Sequence, residues 1–104
     1  MEYVAKIIKI INLVDDDDIC IPLIKVQWYI RKNELKNIPQ DQLDCISENE
    51  VFKTHEMDYV EIDSILGMAT ILSYGEYDAI ETLHDHTYFT RAQYQNKVFN
   101  PPFN

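Results

Sequence analysis

Ile24, Val26, Trp28 and Ile30 stand at every second position of one stretch, with Lys25, Gln27 and Tyr29 between them. A period of two puts the first set on one face of a strand and the second on the other, an arrangement no helix reproduces. Residues 22–30 are therefore expected to be a half-buried strand. Residues 3–12, rich in Ile and Val, predict an earlier strand. Asp15 to Asp18, between the two, predict a solvated turn, because like charges in a row resist packing. Arg31 to Asn49 is polar with Pro39 in its middle, and predicts a long connection with room for one short turn of helix.

Further strands are expected at 50–52, 68–72, 88–93 and 98–99, with a loop at 55–58 and a turn at 95–97. Residues 59–65 alternate only weakly. Gly67 marks a bend or bulge before the 68–72 strand. Tyr77, Ile80, Leu83 and His84 share a face at helical spacing, which predicts one short helix near residues 76–83. Many short strands broken by frequent turns give an all-β fold, a small distorted barrel or sandwich of mostly antiparallel strands. At 104 residues the chain is one domain, 1–104. It buries roughly two-thirds of its unfolded surface and needs no staple to fold.

Charge narrows the partners. Eighteen acids face nine bases, for a net charge of −9, and Glu56 to Asp85 hold eight acids and no Lys or Arg. Affinity for a phosphate backbone comes from Lys and Arg, so direct DNA binding is not expected. A basic protein segment, such as a histone tail, suits this surface. The same charge also serves plain solubility. Cys20 and Cys45 form no CxxC motif, so a zinc site is not expected. Their spacing leaves a disulfide open, though a reducing compartment is the simpler reading, because no signal peptide is visible. The longest apolar run, Ile19 to Ile24, contains Pro22 and is too short to span a bilayer.

Trp28, the single Trp, is followed six positions later by Glu34. An aromatic face beside a carboxylate is what an alkylammonium requires, a π surface to rest on and a charge to offset its own. Tyr3 lies in the neighbouring predicted strand, and strands this close in sequence often pair. Packing in a β core would equally account for Trp28. Other clusters have weaker chemistry. His84-Asp85-His86 lacks a third metal ligand, and Asp15 to Asp18 lack the spaced ligands and Gly of a calcium loop. His55 near Glu56 and Asp58 has no nucleophile placed with it, and no phosphate-binding Gly-rich loop exists. No metal, cofactor or enzymatic activity is expected.

Five segments, in order, resemble the bromo-adjacent homology (BAH) domain. Tyr3-Val4-Ala5-Lys6-Ile7 is similar to its first core strand, and Val26-Gln27-Trp28-Tyr29-Ile30-Arg31 to its aromatic strand. Asn49-Glu50-Val51-Phe52 through Asp58, Ile62-Asp63-Ser64-Ile65-Leu66-Gly67, and Tyr88-Phe89-Thr90-Arg91 through Phe99-Asn100-Pro101 resemble three further segments. Val26-Gln27-Trp28 with Glu34 looks most like the domain of the largest origin-recognition-complex subunit. The family's strand ahead of Tyr3 has no counterpart, so the domain is expected to be minimal or to have an upstream part outside these residues. The resemblance implies a non-catalytic nuclear chromatin module, part of a larger chromatin complex. It implies a methyl-lysine cage at Tyr3, Trp28, Ile30 and Glu34, and histone-tail contacts at His55, Glu56 and Asp58. His55 stands one position earlier than the family's His. Ile30 matches a position that is Tyr in readers of trimethyl-lysine, which implies a preference for mono- or dimethyl-lysine. The other function class is an interaction scaffold in a chromatin complex, with Trp28 as core and the acidic face as docking surface. Exposure of Tyr3 and Trp28 side by side separates the two.

Overall fold

The computed structural model describes residues 2–81 and 83–102. Its centre is a five-stranded sheet in the order β1-β2-β3-β6-β7. Strands β1 (Val4–Val14), β2 (Cys20–Arg31) and β3 (Val51–Glu61) pair antiparallel and span 11, 12 and 11 residues. Strands β6 (Gln93–Gln95) and β7 (Val98–Asn100) form a terminal hairpin, joined to β3 by a single parallel pair, Lys53 with Gln93. A second sheet pairs β4 (Thr70–Ser73) with β5 (Thr87–Thr90) in parallel. The fold is thus mostly β, but the two sheets do not close into a barrel among the described residues. β1 and β2 run close to the strands expected at 3–12 and 22–30, whereas β3, expected to be short at 50–52, continues to Glu61.

The acidic turn between β1 and β2 is built rather than merely solvated. Asp15 Oδ1 accepts from the backbone N–H groups of Asp17 and Ile19, both at 2.9 Å, and Asp18 takes a positive φ of 60°. An Asp side chain capping its own turn is the usual reason for Asp at such a site.

The end of the sheet nearest Arg31 is covered on both faces. Val4, Tyr29, Val51 and Tyr88 pack on one face with Ile71 of β4. Phe52, Ile46, Ala92 and Phe99 pack on the other with Ile30, Leu35, Ile38 and Leu43. The 31–49 connection therefore contributes core, not only linkage. It holds a 3-10 turn, Lys32–Glu34, and helix α1, Gln40–Asp44. β2 is for this reason more than half-buried here: Tyr29 is 9 % and Gln27 8 % exposed, although both lie on the face opposite Trp28. Gln27 Nε2 donates to Thr54 O at 2.7 Å, which satisfies the buried amide.

Helix α2 (Tyr74–Asp78) begins in a capping box. Ser73 Oγ accepts from Glu76 N–H, and Glu76 Oε1 accepts from Ser73 N–H. Ser73 Oγ also donates to Glu76 Oε1 at 2.9 Å, and this bond, with that from Ser73 N–H, holds the Glu76 carboxyl below its ordinary value. The helix ends at Asp78, where a negative side chain opposes the dipole. Ile80, Leu83 and His84 thus share no helix face with Tyr77: the helix expected near 76–83 is instead the shorter and earlier α2, and the short turn of helix expected within 31–49 is a second five-residue helix, α1. Thr82 of that expected helix lies outside the described residues. Glu50, fully buried, accepts from Arg91 Nε at 2.6 Å and Nη2 at 3.2 Å, and Arg91 Nη2 also donates to Cys45 O. This pair anchors the start of β3 to the segment that leads into β6.

Candidate functional site: an aromatic cleft between the sheet and the terminal hairpin

The register of β1 on β2 sets the first two walls. Ala5 lies opposite Trp28 and Val4 opposite Tyr29. Tyr3 therefore projects on the Trp28 side, one diagonal step away, within reach of an aromatic contact. The ring centroids are 6.3 Å apart and the planes meet at 71°. Tyr3 is 62 % exposed and Trp28 half-buried, so the corner between the rings opens to solvent.

A distortion in β3 supplies the rim. Gln27 pairs with Met57, but Tyr29, two residues on, pairs with Lys53, so β3 carries two extra residues opposite Trp28. Thr54 stitches this bulge together: its Oγ1 donates to Trp28 O at 2.8 Å and accepts from Glu56 N–H at 3.2 Å. Bulges of this kind re-aim the side chains they carry. Here His55 and Glu56 border the same cleft as Tyr3 and Trp28. The expected loop at 55–58 is in fact strand, because pairing with β2 organises residues whose own pattern is polar and irregular.

Glu34 reaches the cleft from the 3-10 turn after β2. Its Oε2 accepts from Arg31 N–H at 2.7 Å, which fixes the orientation of the carboxylate. Ile30 borders the cleft too, while belonging to the core beside Phe52 and Phe99. The β6–β7 hairpin also lines the cleft, with Tyr94 and the turn residues Asn96 and Lys97. The cleft encloses about 810 Å³, room for several residues of an extended chain around one alkylammonium head.

Of the residues expected from the resemblance, the structure gathers Tyr3, Trp28, Ile30, Glu34, His55 and Glu56 around this one cleft. Asp58 lies outside it. Asp58 pairs with Val26, on the same sheet face as Trp28, and is exposed, its Oδ1 accepting from Tyr59 N–H. Tyr94, Thr54 and Lys97 were not anticipated. The tight Asn96-Lys97 turn is the one sequence signal for Tyr94 and Lys97, since it folds β7 back on β6; Thr54, in β3, has none. Cys20 and Cys45 are both exposed free thiols, so the disulfide left open by their spacing is not formed.

No known family model matches this chain, and no curated protein matches it.

Proposed function

We propose that this chain is a chromatin-binding module of the BAH type, its sheets a much-opened version of the family's distorted barrel. It holds a methylated lysine of a histone tail in the Tyr3–Trp28 corner. The observation that carries this reading is the pair of rings at 6.3 Å with the oriented Glu34 carboxylate on the same cleft. Two ring faces attract the cation, and the carboxylate offsets its charge. A dimethylammonium keeps one N–H, and a charge-assisted bond from it to Glu34 contributes about 1.5–3 kcal/mol when shielded from water. Glu56 in the cleft and Asp58 beyond it lie along the same face and receive the basic residues flanking that lysine. The module acts in the nucleus within a larger chromatin complex, with no catalysis and no cofactor.

The test is a titration against histone-tail peptides, each carrying one lysine in each methylation state, with a short DNA duplex at physiological salt beside them. Methyl-dependent binding of at least one peptide, weakened by Glu34→Gln, supports the reading. Duplex binding as tight as that of any peptide, or no methyl dependence anywhere, contradicts it.

A further inference from the structure

Ile30 gives the cleft no ring, because its side chain belongs to the core with Phe52 and Phe99. Tyr94 packs against that same core. Its ring lies 4.8 Å from that of Phe99, tilted by 47°, so one side is held by a rigid neighbour. The residue is only half-buried, and it borders the same cleft as Tyr3 and Trp28. The strand that carries it is held on both sides. Gln93 pairs with Lys53 of β3, and Tyr94 itself pairs with Phe99 across a hairpin closed by two residues of positive φ, 53° at Asn96 and 63° at Lys97. A ring packed on one side and anchored through its backbone forms a wall at little entropic cost, since it is already ordered before a ligand arrives.

We infer that Tyr94 is the third aromatic wall of this site, replacing from β6 the ring that Ile30 does not supply from β2, and that the site accepts trimethyl-lysine as readily as dimethyl-lysine. The inference rests on the reading of the cleft as a methyl-lysine site. Its physical content is the balance between two terms. A trimethylammonium has no N–H and is held by ring faces alone, so each added face favours it. A dimethylammonium gains from Glu34, which two rings alone would leave as the deciding term. A third ring brings the two ligands level.

The experiment is calorimetry on the whole chain with one basic peptide whose single modified lysine is unmethylated, dimethylated or trimethylated. The wild type is compared with Tyr94→Leu, which keeps an apolar contact on Phe99 but no ring, with Tyr94→Phe and with Trp28→Ala. The expected result is dimethyl and trimethyl affinities within about threefold for the wild type and Tyr94→Phe. For Tyr94→Leu, trimethyl affinity falls about tenfold and dimethyl affinity much less, so that a dimethyl preference emerges. An unchanged ratio in Tyr94→Leu, with methylated peptide still bound, removes Tyr94 from the site and leaves the Tyr3–Trp28 reading standing. A wild type that favours dimethyl by tenfold or more overturns the inference without any variant, should Tyr94→Leu fail to fold. Equal binding of unmethylated and methylated peptides by the wild type and Trp28→Ala overturns the methyl-lysine reading itself.

Discussion

Glu50 is the one fully buried carboxylate among the described residues, and two opposed effects act on it. Burial pushes its pKa above the ordinary value of 4.5, while the hydrogen bonds and charge of Arg91 and a backbone bond from Ser47 pull the other way and only partly offset it. The folded state therefore binds this proton more tightly than the unfolded state. Its stabilising contribution is complete below the unfolded value and is lost as pH rises through the raised folded one. Urea unfolding of wild type and Glu50→Gln in parallel is expected to show wild type losing stability relative to the variant from pH 4.5 upward; a constant difference would contradict it. Arg91→Ala leaves the carboxylate buried without its bidentate partner. It is expected to cost about 3 kcal/mol at neutral pH, the lower end for breaking a buried pair because water reaches Arg91. A thermal melt unchanged within a degree would refute that. At this scale the sequence was partly legible. Tyr3, Trp28 and Glu34 could be singled out because one strand period and one short spacing place them. Tyr94 could not, since its place at the cleft depends on one parallel contact between Lys53 and Gln93, forty residues apart in the chain.

Among the elements, the long hairpin of β1 and β2 was readable from the Ile and Val content of residues 3–12 and the alternation over 22–30, and the turns at Asp15–Asp18 and Asn96-Lys97 from their residue types. β3 was not, because Thr54-His55-Glu56-Met57-Asp58 carry no period of two; the strand exists through pairing with β2, and its bulge breaks whatever period remained. α2 was misplaced because the apolar spacing at Ile80 and Leu83 suggested a longer helix, whereas the Ser73–Glu76 capping box sets the start early and Asp78 closes it. The β6–β7 turn provides a prediction of its own. Asn96 and Lys97 both take left-handed conformations, as a two-residue hairpin turn requires, and Lys is poorly suited to the second position. Lys97→Gly is expected to stabilise the fold by about 0.5 kcal/mol, the relief of a left-handed Lys less the added freedom of Gly in the unfolded chain. It also removes a cation from the cleft, so a basic peptide is expected to bind more tightly. Chemical denaturation and peptide titration on the same variant check both, and weaker binding would argue against a cationic ligand.

The molecule as a whole is elongated, 55 × 34 × 22 Å, with a radius of gyration of 16.2 Å against about 13 Å for a compact chain of this length. Strands β1, β2 and β3 run on together past the doubly covered end of the sheet, β3 as far as the pairing of Glu61 with Leu23. Along this extension β1 is a free edge, with Ile10 64 % and Leu13 50 % exposed. A long apolar edge invites strand pairing between copies. Ile10→Lys is expected to raise the concentration at which light scattering first detects association; an unchanged threshold would place the association elsewhere. The alternation that helped make the β1–β2 hairpin legible did not reveal how much of it stays uncovered, because period reports which residues share a face, not whether anything packs on it. The site lies at the opposite, well-packed end, where four separate parts of the chain meet: Tyr3 just before β1, β2 and its following turn with Trp28 and Glu34, β3 with Thr54, His55 and Glu56, and the β6–β7 hairpin. Only the assembled fold makes that cleft, and its proposed use is the recognition of a methylated lysine. The measurement that bears on this most directly is calorimetry of the wild type and Trp28→Ala with a basic histone-tail peptide, unmethylated and dimethylated at one lysine. The wild type is expected to bind the dimethylated peptide at least tenfold more tightly, and Trp28→Ala, still folded, to lose that difference. Equal affinities for the two peptides in the wild type, or a preference that survives Trp28→Ala, would contradict it.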